Sequence, residues 1–259
     1  SQNFVGKKRE AITVRYLVTG DAGFIGSWVV EGILEKYPDA QVVGVDDMSG
    51  GELSNLKELW SRHPGDRYQH HNIDLDLYDD LRWVFTTYPP DIVYHIAACA
   101  REGASAFQPA KIVRTNIMIS TNVFELAIKY RVKKIVFFSS MAVSGDNPLP
   151  FTEEQSKRPE DVYAICKAAS EDILQNLAQV HNFEWTIIRP HNVTGGSRQN
   201  LCLDTDSLVQ TERGMVKISE VTVDDSVRSN LEGKFAWSRV TNKIDIGESQ
   251  ARTLKVAGG

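Results

Sequence analysis

Gly20-Asp21-Ala22-Gly23-Phe24-Ile25-Gly26 stands between an apolar run, Tyr16-Leu17-Val18-Thr19, and a stretch of helical periodicity from Phe24 to Tyr37. Glycines spaced in this way at a direct strand-to-helix turn leave the chain few folds. Gly20 permits the tight turn, Gly23 lets backbone amides approach a pyrophosphate, and Gly26 lets the helix pack close to the strand, while the helix N-terminus favours an anion. The three glycines are therefore expected to bind a dinucleotide.

The pattern continues through the first two hundred residues. Apolar runs at Arg15 to Thr19, Gln41 to Val45, Asp91 to Ile96, Lys134 to Phe138 and Trp185 to Ile188 predict strands, and Phe24 to Tyr37, Ile112 to Tyr130 and Asp161 to His181 predict helices. Strands alternating with helices build a parallel sheet covered on both faces, an α/β doubly wound fold. The second strand, Val42-Val43-Gly44-Val45-Asp46, ends in an acid about twenty residues beyond the glycines, where a carboxylate accepts hydrogen bonds from a ribose diol. Asp46 and Asp47 would repel a 2'-phosphate, and no Lys or Arg follows before Lys57, so the expected cofactor is NAD. The plainer reading of Asp46 is a turn cap.

Tyr163-Ala164-Ile165-Cys166-Lys167 puts a phenol and an ammonium one helical turn apart on one face. A neighbouring cation stabilises phenolate, which suits Tyr163 to accept a proton near neutral pH. An exposed helix pair is the ordinary alternative. The pair follows Val136-Phe137-Phe138-Ser139-Ser140, however, a strand whose C-terminal end delivers hydroxyls to the crevice where doubly wound sheets bind ligands. His70-His71 would point to opposite faces of a strand with no acid or cysteine spaced to complete a site, so no metal is expected there and a surface or turn role is. Cys99 and Cys166 read as packing thiols.

With 42% hydrophobic and 24% charged residues and a net charge of −5, the chain reads as a globular protein with nothing to mark a nucleic-acid partner. No apolar run approaches a bilayer span, and the stretch from Ser1 to Arg9 lacks the apolar core of a signal peptide. Three cysteines without paired spacing fit a reducing compartment, so a cytoplasmic location is expected. The first residue is not Met and the end at Ala257-Gly258-Gly259 is abrupt, so a fragment is expected.

Residues 15–200 resemble the extended short-chain dehydrogenase/reductases, whose cofactor domain is of the Rossmann type, and in particular the NAD-dependent sugar-nucleotide epimerases similar to UDP-glucose 4-epimerase. The motifs come in order along the chain. Thr19 to Gly26 resembles TGxxGFIG, Asp74 the acid that contacts adenine, His95-Ile96-Ala97-Ala98 the HxAA strand end, and Asn116 the helix asparagine near the cofactor. Ser140, Tyr163 and Lys167 match the catalytic Ser, Tyr and Lys. Arg189-Pro190-His191-Asn192-Val193-Thr194-Gly195 resembles RPHNVYG, and Arg198-Gln199-Asn200 the RQN that follows.

The resemblance implies cofactor contacts from Gly20, Gly23, Phe24, Ile25, Gly26, Asp46, Asp74, Leu75, Ala97, Ala98, Asn116, Tyr163, Lys167 and Pro190. It implies substrate contacts from Ser140 and from Asn192, the latter on the diphosphate of a nucleotide sugar, above all a UDP-sugar. A homodimer is among the implied assemblies. The implied chemistry is transient oxidation to a keto sugar and return of hydride to its other face. Ser144 and Thr194 replace tyrosines usual in the family. Met141 and Ala142 follow Ser140 where the 4,6-dehydratases carry an Asp-Glu pair, so epimerisation is expected, with a reductase or 4,6-dehydratase of the same fold as the alternative.

From Cys202 the pattern changes to short strands with hairpin signals, Leu208 to Thr211 and Met215 to Ile218 around Glu212-Arg213-Gly214, then Lys234 to Val240. This small all-β segment resembles the start of an intein. Cys202 matches the first residue, Asp206-Ser207-Leu208-Val209 the DTxV motif, and Thr222 to Val227 the VGDxV motif with Asp224 in place of Gly. The expected division is an NAD-binding epimerase domain over 1–201 and an incomplete intein (Hint) segment over 202–259, with Cys202 as splicing nucleophile. The rest of the intein and the enzyme's substrate domain, about a hundred residues, are expected in cis or in trans. Without them the chain is expected neither to splice nor to epimerise well. The alternative is an ordinary β insertion.

Overall fold

In the computed structural model, which describes residues 13–100, 108–193, 198, 208–217, 220–231, 234–245 and 252–256, the run Arg15–Thr19 forms a central strand, β1. Its side chains alternate between two apolar layers: Leu17 joins one with Val43, Val45, Phe85, Val93, Phe124 and Phe137, and Tyr16 and Val18 join the other with Val30, Leu34, Leu56 and Leu59. A strand covered on both faces carries no polar alternation, which is why it reads as a continuous apolar run.

β1 belongs to a unit spanning Ser1–Val193. Its sheet is completed by β2 (Gln41–Asp46), β3 (Tyr68–Asn72), β4 (Ile92–His95), β5 (Lys134–Phe138) and β6 (Glu184–Ile188), all parallel, in the order β3-β2-β1-β4-β5-β6. The helices are α1 (Phe24–Lys36), α2 (Leu53–Arg62), α3 (Tyr78–Thr87), α4 (Pro109–Val113), α5 (Ile119–Lys129) and α6 (Val162–His181), with a π-helical turn, Arg114–Met118, between α4 and α5. The strand order reverses between β1 and β4, the switch point beyond whose carboxyl ends such sheets bind ligands. Thr19 pairs with Val45 on one side and His95 on the other, so the glycine loop, Asp46 and the end of β4 share that edge.

This is a Rossmann-type fold, with each strand expected in this unit present to within a residue or two at its ends. Three elements were not expected. β3, Tyr68-Gln69-His70-His71-Asn72, is an edge strand in which only Tyr68 is fully buried, so it lacks both the apolar run and the alternation that announce a strand. α2 and α3 are ten residues each and bury only Asn55, Leu56 and Leu59 or Leu81, Val84 and Phe85. The helix expected from Ile112 starts at Pro109 and is interrupted by the π turn, a local widening that a search for 3.6-residue periodicity does not register. Among the described residues no helix is long and apolar enough to cross a membrane.

The second unit, Thr194–Gly259, is an antiparallel sheet of β7 (Leu208–Thr211), β8 (Gly214–Lys217), β9 (Ser226–Leu231), β10 (Lys234–Asp245) and β11 (Arg252–Val256), ordered β11-β10-β9-β7-β8. Gly214 closes the β7–β8 hairpin at φ +107, a conformation that favours glycine. Val221, Val227 and Val240 form its buried cluster. Asp225 receives two guanidinium bonds from Arg213, at 2.6 and 2.8 Å, and one from the Thr222 amide, and these hold its carboxyl well below the usual range. β9 and β11 are additions to the strands expected here. Cys202, Asp206, Ser207, Thr194, Gln199 and Asn200 lie outside the described residues.

Candidate active site

The glycine turn is built by close approach. Gly20 sits at φ +75 with its amide bonded to Val45 O at 2.7 Å, and a Cβ there would lie 2.9 Å from Ala97 N and Cα. A methyl on Gly26 would overlap the carbonyl of Gly20, so only glycine lets α1 start this close to the turn. Gly23 is the N-cap of α1 and its amide bonds Gly20 O at 3.1 Å. The amides of Phe24, Ile25 and Gly26 form the first helical turn, where they have no partner within the helix and the helix dipole favours an anion.

Asp46 ends β2 with 9% of its surface exposed, and its Oδ1 accepts the Met48 amide at 2.8 Å. Burial, with the Asp21 and Asp47 carboxylates, raises its pKa to about 6 against the opposing Met48 bond and His70. A pair of ribose hydroxyls would donate what burial withholds from this carboxylate, and the N-terminus of α1 at the glycine turn offers amides to a diphosphate, so these residues fit a dinucleotide. Asp74 is exposed and accepts the Asp76 amide at 2.9 Å. The Leu75 side chain packs in the core, and its carbonyl accepts from Asn122.

Beyond β4, Ala97 donates to Thr19 O at 3.1 Å, and Ala98 is half-buried beside it. Asn116 lies in the π turn, buried, with Oδ1 accepting the Cys99 amide at 3.1 Å and Nδ2 donating to Ile112 O at 2.9 Å and Cys99 O at 3.3 Å. It braces the backbone that follows β4. His95 bridges Thr19 Oγ1 (2.8 Å from Nδ1) and Ser120 Oγ (2.9 Å from Nε2), and burial and Lys167 push its pKa down to about 3, so the ring is neutral.

Asp161 caps α6 by accepting the Ala164 amide at 2.9 Å, which fixes the start of the helix that carries Tyr163 and Lys167. Both are buried, so they are not an exposed helix pair. Lys167 is 3% exposed; its Nζ donates to Phe138 O at 2.7 Å and lies 6.0 Å from the Tyr163 ring centroid. Burial lowers its pKa to about 7, with Glu171 opposing. Glu171, one turn on, is paired with Arg189 through bonds of 2.8 and 2.7 Å and with Lys157 at 3.0 Å. Ser140 follows β5, is buried, and caps a short turn by accepting the Ala142 amide at 3.1 Å. Met141 N bonds Pro190 O at 3.0 Å, which holds Pro190 at the same edge; Asn192 is exposed beyond it. A phenol, an ammonium and a hydroxyl thus gather where β5 and β6 end, beside the glycine turn at the end of β1.

His70 and His71 correct the surface or turn reading. His70 Nδ1 lies 2.9 Å from the buried Asp21 Oδ2, and His71, on the opposite face, packs against Trp83 and Tyr88 with ring centroids 5.2 and 5.1 Å away. Asp21 and Glu171 are further buried charges of this region that no pattern singled out. Cys166 is buried and its thiol pKa raised by that burial, and Cys99 is half-buried against the same small cluster. Elsewhere, Glu31, Glu35 and His63 bring ligand atoms within 4.8 Å of one another, but the Arg62 guanidinium already sits 2.7 Å from Glu31.

Residues 16–209 match the model of the NAD dependent epimerase/dehydratase family. The chain is 32% identical over 185 residues to a UDP-glucose 4-epimerase of Mycolicibacterium smegmatis, covering 70% of this chain and 57% of that one. It is 29% identical over 185 residues to the human dTDP-D-glucose 4,6-dehydratase, covering 70% and 51%. Among solved structures, the UDP-glucose 4-epimerase of Thermotoga maritima with UDP-glucose superposes with a TM-score of 0.66 at 32% identity, over 72% of this chain and 58% of that one. The chain spans about half the length of the curated relatives it matches.

Proposed function

The chain belongs to the NAD-dependent epimerase/dehydratase family, and we propose that within it residues 1–201 form the cofactor-binding part of a nucleotide-sugar epimerase, followed over 202–259 by the beginning of an intein. The observation that carries the enzyme reading is the burial of Lys167 beside Tyr163, with its Nζ on the carbonyl of Phe138 two residues before Ser140. Burial there lowers the pKa of Lys167 to about 7, and its protonated form places a positive charge beside the Tyr163 ring.

In this reading Gly20, Gly23, Phe24, Ile25 and Gly26 take the diphosphate of NAD, Asp46 its adenosine ribose, and Asp74 and Leu75 its adenine. Ala97, Ala98, Asn116 and Pro190 line the path toward the nicotinamide. Bound NAD supplies a hydride acceptor that later gives the hydride back. Tyr163 takes the proton of the reacting sugar hydroxyl through its phenolic oxygen, and Ser140 Oγ hydrogen-bonds the same oxygen. Lys167 would hold the nicotinamide ribose beside the phenol. Asn192 binds the diphosphate of a UDP-sugar. With NAD supplying that chemistry, the carbon would invert by way of a keto sugar.

Similarity to a 4,6-dehydratase supports a second reading, a dehydratase or reductase of the same fold. Elimination of water needs an acid and a base next to the sugar, and Met141 and Ala142, in the turn capped by Ser140, supply neither. The substrate-binding part of the enzyme and the remainder of the intein are supplied in cis or in trans. Self-association of the enzyme part as a homodimer is part of this reading. The small antiparallel unit, with Asp225 anchored at the VGDxV position, supports the intein, and an ordinary β insertion is its alternative.

Calorimetric titration of the 259-residue chain with NAD and with NADP tests the cofactor assignment. Binding of NAD in preference to NADP by on the order of a hundredfold is expected, because a 2'-phosphate would meet the Asp46 and Asp47 carboxylates. Equal affinity for the two would remove Asp46 from the ribose.

A further inference from the structure

Asp21 is the second residue of the glycine turn, and 0% of its surface is exposed. Its side chain runs under the turn toward β2 and β3. Gly44 makes the space, since a Cβ there would overlap Asp21 Oδ2. That oxygen accepts the Tyr68 hydroxyl at 2.5 Å and faces His70 Nδ1 at 2.9 Å, while Oδ1 has no hydrogen-bond partner among the described residues. β1, β2 and β3 are therefore shaped around one carboxylate that the turn itself does not require. A buried carboxylate is expensive unless paired, and His70, with 10% of its side chain exposed, is the cation within reach.

The groups that face His70 are Asp21 from the turn, Asp46 from the end of β2, and Tyr68 and His71 from β3. Burial opposes an imidazolium at this place. The Asp21 bond and the Asp21 and Asp46 charges outweigh it and hold the pKa of His70 above 6.5. We propose that His70 and Asp21 are positioning residues for the dinucleotide: the His70 imidazolium offsets the carboxylate under the diphosphate turn and beside Asp46, so that binding is strongest with His70 protonated. This rests on the NAD reading of the glycine turn.

A bound diphosphate adds negative charge near Asp21 and favours protonated His70, so binding takes up a proton and affinity falls as pH rises through the pKa of His70. Neutral His70 still carries one ring N–H that can stay on Asp21 Oδ2, so the turn keeps its shape and the loss is one of charge. Asp46, with its pKa near 6, produces a separate acid limb, because its protonated form no longer accepts both ribose hydroxyls.

The test is the NAD dissociation constant of the 259-residue chain from about pH 5 to about pH 9, for wild type and His70→Gln, together with the His70 ring resonances followed by NMR with and without NAD. Wild type is expected to lose about tenfold in affinity on the alkaline limb, and bound NAD to move the titration of His70 upward to match. His70→Gln, which keeps a donor but cannot titrate, is expected to keep the acid limb and lose the alkaline one. Asp21→Asn is expected to bring the titration of His70 down in the free chain, which is read without any ligand. An alkaline limb that survives His70→Gln, or a titration of His70 that NAD leaves unmoved, overturns this proposal while leaving NAD binding intact. No NAD binding at any pH overturns both readings.

Discussion

Tyr163→Phe is expected to lower turnover of the complete enzyme by about 10²–10⁴-fold while leaving its fold and NAD affinity close to wild type. Tyr163 is buried on α6, and the substitution removes one hydroxyl while keeping the ring that packs with Ile112 and Cys166. Lys167 keeps its bond to Phe138 O, so the cofactor side of the site is preserved. What the substitution removes is the oxygen proposed to take the sugar proton. A single-turnover measurement of NAD reduction on adding the sugar nucleotide isolates that step from binding and release. A rate within a few-fold of wild type, on the scale set by general acid-base catalysis, would take Tyr163 out of the mechanism.

Cys202→Ala is expected to abolish joining of residues 1–201 to the rest of the enzyme. In the proposed splicing reaction the Cys202 thiolate attacks the carbonyl carbon of Leu201; a C–S bond forms, the C–N bond breaks, and the amine of Cys202 takes the proton, which leaves a thioester. An alanine side chain has no atom that can do this. Supplied with the rest of the intein, in cis or as a second chain, wild type should yield an enzyme that lacks residues 202–259, read by intact mass. Mature enzyme that still contains 202–259, or ligated product from the alanine variant, would make the segment an ordinary β insertion.

The fold was legible wherever burial on both faces wrote itself into the residues. Leu17, Val18, Val43 and Val45 are apolar because helices cover both sides of the sheet, and the glycines at 20 and 26 are forced by contacts that leave no room for a methyl. β3 was not legible, since an edge strand with Gln69, His70, His71 and Asn72 has no apolar signature. The same gap hid the Asp21–His70 pair, because its partners are 49 residues apart and a carboxylate inside a glycine turn reads as a solvated loop residue until Gly44 and Tyr68 are seen around it. Tyr163, Lys167 and Ser140 were singled out by spacing, by order along the chain and by resemblance to the family's motifs. Their burial, the bond from Lys167 to Phe138 O and the bracing of Lys167's neighbour Glu171 by Arg189 and Lys157 are facts of packing that no spacing encodes. Asn116 was placed on a helix, but the π turn that aims it at the Cys99 backbone left no periodic trace.

NMR of a UDP-sugar incubated with the complete enzyme in deuterated water reads the outcome at each carbon. If Tyr163 and Ser140 handle the hydroxyl proton while hydride leaves and returns within a closed site, one carbinol centre inverts and its carbon-bound hydrogen is retained without exchange. A 4-keto-6-deoxy product carrying solvent deuterium at C5 would mean elimination chemistry despite Met141 and Ala142, and would contradict the epimerase assignment.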